Sequence, residues 1–246
     1  EDLYVGNESN CSEVHLSIDA RIHGVTVNLS CPTGTVSIMG DSTVSANASG
    51  GVTIKASKLD LRDPNSFIKA TVVDIVVLGK EDTVVNCGIP GIIVPAWQEQ
   101  LQLCALTLSA PNGTVILGDA DSSPFYMKRL WIFAGSLAIR GRIRTIGSSC
   151  DNKRAEKSDV CRRVVPALGQ LDSWSSAFAD ENVTFDFVAT TSDKLTLGRE
   201  NIAAEDQVHV FAGSMLICSR HAVIQDNVIL DASGRGCAVG SGQGAG

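Results

Sequence analysis

The chain has 246 residues, of which 44% are hydrophobic and only 5% aromatic, and its formal net charge is −7. That is ample apolar material for one buried core, supplied mostly by Val, Ile, Leu and Ala, which stack well in regular ladders and poorly replace the large rings of a sandwich core. The acidic balance argues against a nucleic-acid partner, which needs a basic patch, and no run of about 18 apolar residues offers a membrane span.

The opening EDLYVG has neither the basic start nor the apolar stretch of a signal peptide, which fits a numbering that begins after cleavage or an excerpt of a longer protein. Residues 13–62 read as short strands: EVHLSI, RIHGVTVNLS, GTVSIMG, STVSANA, GVTIKA and KLDLRD. Gly24, Pro32-Thr33-Gly34, Gly40-Asp41 and Gly50-Gly51 punctuate them. Strand–turn units at this spacing, about eight to ten residues, are typical of all-β sandwiches, barrels and solenoids. FIKATVVDIVVL at 67–78 is longer and apolar on both parities near its end, as expected of a strand covered on both sides. Residues 79–104 break the rhythm. Cys87 and Cys104 there enclose GIPGIIVPAWQEQLQL, which reads as a loop with one helical turn at most.

The ladder resumes in ALTLSAPNGTVILGD and MKRLWIFAGSLAIRGRIRTIG. FAGSL at 133–137 recurs as FAGSM at 211–215, and LTL occurs at 106–108 and 195–197. The two offsets disagree, so this is repeated strand–turn grammar and not clean duplication. Residues 147–180 are the least β-like part, an excursion expected to be partly helical and pinned by a disulfide. The stretch 207–246 holds three short apolar runs, Val208–Phe211, Met215–Cys218 and 228–230, followed by an alternating glycine tract over 234–246. Each run has the length of a strand, and the breaks are too short for crossover helices. The tract stops at Gly246 as a joint or linker would in a chain that continues.

Eight cysteines, at Cys11, Cys31, Cys87, Cys104, Cys150, Cys161, Cys218 and Cys237, fall into four neighbouring pairs, and no CxxC points to zinc or a thioredoxin-type site. Local pairing suits a coiled chain, although the count alone leaves the connectivity open. Six Asn-x-Ser/Thr triplets stand at Asn7, Asn10, Asn28, Asn47, Asn112 and Asn182. Their parity is that of a surface: in VTVNLS, Asn28 shares a face with Thr26 and Ser30 while Val25, Val27 and Leu29 take the other. Asn182 sits likewise with Thr184 and Asp186, opposite Val183, Phe185 and Phe187, and Asn112 lies in the Pro-Asn-Gly turn. Together these place the protein outside the cell, oxidised and carrying N-linked glycans.

Candidate chemistry is sparse. His15 and His209 take the polar parity of their strands; with His23 and His221 they form no HxxxH or HxH pair, so no metal site and no cofactor is expected. No G-x-S-x-G elbow anchors a serine hydrolase. The one candidate for a cation or a carboxylate pair is Asp119 with Asp121 in GDADSSP, which is also ordinary turn chemistry. The glycine tract lacks the G-x-G-x-x-G of a dinucleotide loop, because position 239 is Val.

The segment NVILDASGRGCAVGSGQGAG resembles the strand, Asp-Ala-Ser-Gly, glycine-rich signature of large eukaryotic β-solenoid surface proteins, the glycine-rich extracellular proteins of plants, algae and protists. NLSCPTGTVSIMGDSTVSA is similar to their rungs. The resemblance implies a secreted, repetitive, glycosylated scaffold with no catalytic residues to carry over. The expectation is thus an all-β chain, one parallel β-helix or β-solenoid domain over 1–246 with the 147–180 excursion inside it, and β-sandwich domains as the alternative. Its expected role is structural, a segment of an extracellular coat, appendage or filament that self-associates, and no enzyme. Two other roles fit the same scaffold: a polysaccharide-active β-helix or lectin using Asp119 and Asp121 with Trp97 or Trp131, and an adhesin displaying the excursion.

Overall fold

The computed structural model describes residues 1–7, 9–47, 49–61, 66–85, 105–118, 125–145, 186–198 and 207–232. Among them every regular element is a strand, and every strand pair is parallel. The antiparallel sandwich is thereby excluded. The chain coils, and its described strands fall on three successive faces.

The first face stacks β1 (Leu3–Gly6), β4 (Val27–Ile38), β6 (Gly51–Asp60), β8 (Val72–Val77), β10 (Ala105–Leu117), β12 (Arg129–Ile139), β14 (Phe187–Thr191) and β17 (Met215–Cys218) in chain order. The long strands β4 and β10 bend midway, where their register shifts between Cys31 and Thr35 and between Ala110 and Thr114. Their second halves, with those of β6 and β12, make the second face together with β2 (Glu13–Leu16), β9 (Thr83–Val85), β15 (Lys194–Leu197) and β18 (His221–Ile224). The third face holds two separate sheets among the described residues, β3 (Arg21–Gly24), β5 (Thr43–Ala46) and β7 (Phe67–Lys69) in one, and β11 (Phe125–Met127), β13 (Ile143–Thr145), β16 (Val208–Phe211) and β19 (Val228–Asp231) in the other.

Leu3 pairs with Val27, and Ala105 with Arg129, at the same interval along the chain. That interval holds three strand–turn units of the length seen in the sequence, so three units close one turn. Two turns are longer. Val72 meets its partner in the following turn at Ala105, and Leu130 at Phe187. In both, the strands on either side remain in continuous register.

Alternating side chains point inward and stack in columns along the coil. One column runs Val5, Leu29, Ile54, Ile75, Leu108, Ile132, Ala189 and Ile217. Its members from Leu29 to Ala189 are at most 1% exposed. Inward residues of the second face (Val36, Leu137, Leu195) and of the third (Val44, Ile68, Val210) join the same core cluster. The β-branched and aliphatic composition follows from this geometry, because identical spacing in every turn favours side chains that nest on their own kind.

The corner between the second and third faces uses left-handed backbone. Gly40, Gly118 and Gly198 have φ of 65°, 74° and 101°, each one or two residues past its second-face strand. Ile18, two residues after Leu16 just as Gly40 is two after Ile38, adopts φ 57° without being glycine, and is 85% exposed.

Several expectations need correcting. Residues 67–78 are not one strand covered on both sides: β7 and β8 lie on different faces, separated by a corner at Ala70 and Thr71, and β8 alternates, with Val72 36% exposed. The strand buried on both parities is β14, in which all five residues are buried. Val25 lies in the bend before β4 and is 37% exposed, so it does not share the inward side of Val27 and Leu29. The segment HAVI, read as part of a break, is β18. FAGSL spans the bend from the first to the second face within β12, whereas FAGSM joins the third-face β16 to the first-face β17, so the copies occupy different corners. The 147–180 excursion and the 234–246 tract lie outside the described residues.

Candidate functional site

The outer surface carries the described asparagines of the triplets. Asn28 points outward from β4, between Tyr4 of β1 and Thr53 of β6. Asn7 and Asn10 are exposed in the connection from β1 to β2. There the Ser9 amide and hydroxyl both donate to Asn7 Oδ1, at 3.0 and 3.1 Å, so the hydroxyl of the triplet already faces its asparagine. Asn112 is exposed at the bend of β10, and its Nδ2 donates to the Leu78 carbonyl at 3.1 Å. Asn47 is exposed in the connection from β5 to β6. All five thus lie on the first face or along its two borders. Asn182 is outside the described residues.

The Cys11–Cys31 bridge ties the first β1–β2 connection to β4. Cys218 is also disulfide-bonded, with its partner outside the described residues. Cys87, Cys104, Cys150, Cys161 and Cys237 lie outside them too, so their pairing is not placed.

Polar side chains on the outside link turn to turn. His23 Nδ1 lies 2.9 Å from the Ser45 hydroxyl, joining β3 to β5. Lys58 Nζ meets Glu81 at 2.7 Å. His209 Nε2 lies 3.6 Å from Asp231, and the Arg144 guanidinium sits 5.2 Å from the centre of the Phe211 ring. His15 has Glu13 at 3.5 Å on its own strand. His209 Nε2 is itself buried and makes no hydrogen bond among the described residues, and no three described His, Cys, Asp or Glu side chains gather as a metal set.

Asp119, Asp121 and Trp97 fall outside the described residues. Trp131 is on the outer side of the first face, between Thr107 and Val188, with Arg129 stacked 4.1 Å from its ring centre. Three outward positions nearby, Phe133, Val188 and Thr190, are at most 2% exposed, although their parity is that of the surface. No described helix is long and apolar enough to cross a membrane.

The residue that sequence reasoning missed is Tyr4. It is 74% exposed and directly abreast of Asn28. The two are a full turn of the coil apart in sequence, and only the length of that turn reveals them as neighbours.

No family model, curated protein or solved structure matches the chain.

Proposed function

We propose that the protein is a secreted, N-glycosylated β-solenoid segment of an extracellular coat, appendage or filament, with a structural and not a catalytic role. The observation that carries this is the placing of the triplets. Five asparagines scattered from Asn7 to Asn112 come to lie outward on one face and its borders, where sugars would be carried without disturbing the core. The Cys11–Cys31 bridge supports an oxidising compartment. Self-association is favoured by the exposed apolar side chains of the last described turn, Val223, Ile224, Ile229 and Leu230, on parallel strands that invite stacking.

Two measurements test the proposal on the full chain made in a eukaryotic secretory host. Glycopeptide mass spectrometry is expected to find sugar at the described triplets. Sedimentation velocity and negative-stain imaging are expected to show concentration-dependent assembly. Unmodified asparagines throughout would overturn the glycosylated assignment, and a monodisperse monomer at every concentration would overturn the assembly role.

A further inference from the structure

We infer that Asn28 carries an N-linked glycan whose first N-acetylglucosamine packs on the ring of Tyr4, so that the sugar helps to hold β1 against β4. This deepens the glycosylated assignment proposed above and rests on it.

Tyr4 is the unusual partner. It occupies an outward position on β1, is 74% exposed, and makes no hydrogen bond or ring contact among the described residues. An aromatic side chain on a sheet surface ordinarily gains from cross-strand neighbours, and the neighbour it has in register is Asn28, the acceptor of an Asn-Leu-Ser triplet. Adjacent strands lie about 4.8 Å apart, and a side chain on one strand readily reaches over the outer face of the next. A pyranose attached to Asn28 Nδ2 would emerge beside the ring. Its axial C–H bonds form an apolar, weakly positive face that complements the negative face of the π-system. The other in-register neighbour of Asn28 is Thr53, small enough to leave room on that side.

A bond forms between Asn28 Nδ2 and C1 of the sugar, and the bond from C1 to the diphosphate of a lipid-linked oligosaccharide donor breaks. One amide proton leaves as the diphosphate departs. The inward side of the same strands is already filled, with Leu3 over Val27 and Val5 over Leu29, so the added contact lies wholly outside the core.

The test is a double-variant cycle on the secreted full chain, with Asn28→Gln and Tyr4→Ser. Occupancy is read by glycopeptide mass spectrometry and local opening by hydrogen–deuterium exchange over residues 3–6. Asn28 is expected to be occupied. Asn28→Gln is expected to speed exchange of β1 about two- to tenfold when Tyr4 is present and to leave it unchanged in the Tyr4→Ser background. Tyr4→Phe, which keeps the ring, should retain the glycan's effect. An unoccupied Asn28 beside occupied neighbouring triplets would overturn the inference and leave the glycosylated assignment standing. So would equal acceleration in both backgrounds. Absence of sugar from every triplet would remove both together.

Discussion

At the scale of single residues, the coil tolerates little on its inside and at its corners. Thr145 of β13 is fully buried, and among the described residues its hydroxyl has no hydrogen-bond partner. An unpaired buried hydroxyl costs about 1–3 kcal/mol, more than its isosteric methyl would. Thr145→Val is therefore expected to stabilise the protein by about 1 kcal/mol, seen as a thermal midpoint raised by about 2–4 °C. An unchanged or lowered midpoint would mean the hydroxyl finds a partner in solution. The opposite sign is expected at Gly40. A Cβ there would meet the Ile18 amide nitrogen at 2.6 Å, and φ of 65° disfavours any side chain. Gly40→Ala should destabilise by about 1–3 kcal/mol in a denaturant titration. The Gly40-Asp41 punctuation was legible in the sequence. That Ile18 holds the equivalent left-handed position was not, because an isoleucine carries no turn signal.

Elements were legible where parity was clean. VHVF and MLIC are strands with the bounds their apolar runs imply, Val208–Phe211 and Met215–Cys218. Where a corner lacks glycine or proline, as at Ala70 and Thr71, two strands on different faces merge into one apparent run. HAVI was hidden for the converse reason: it is exposed at every residue, so burial impresses no alternation on it. Pairing was the deepest omission, since period-two patterns say which side faces in and nothing about which strand lies next door. The Cys11–Cys31 bridge acts at this scale, closing a 20-residue separation between the β1–β2 connection and β4. Replacing both cysteines with alanine should cost about 2–4 kcal/mol, with the loss concentrated in β1 and β2. Limited proteolysis should then cut first between Glu1 and Gly24. Cleavage first near β10 or β12 would show that the bridge does not anchor that end.

At the scale of the whole molecule, each turn touches only its neighbours, so stability should be graded along the axis and not uniform. The column from Leu29 to Ala189 is flanked by a turn on both sides at each step, whereas β18 and β19 themselves expose Val223, Ile224, Ile229 and Leu230. Hydrogen exchange is expected to be slowest in the first halves of β10 and β12 and faster in β18 and β19. A single rate throughout would indicate one cooperative unit in place of a stack. The same architecture gives the two long turns, from Val72 to Ala105 and from Leu130 to Phe187, a meaning beyond interrupted rhythm. The ladder resumes in step after each, so the coil keeps its register across a longer interval of chain. Chain length between two neighbouring strands of the first face is therefore compatible with an unbroken spine. What the spine fixes is the spacing of its strands, and what it leaves free is the length of chain between two of them.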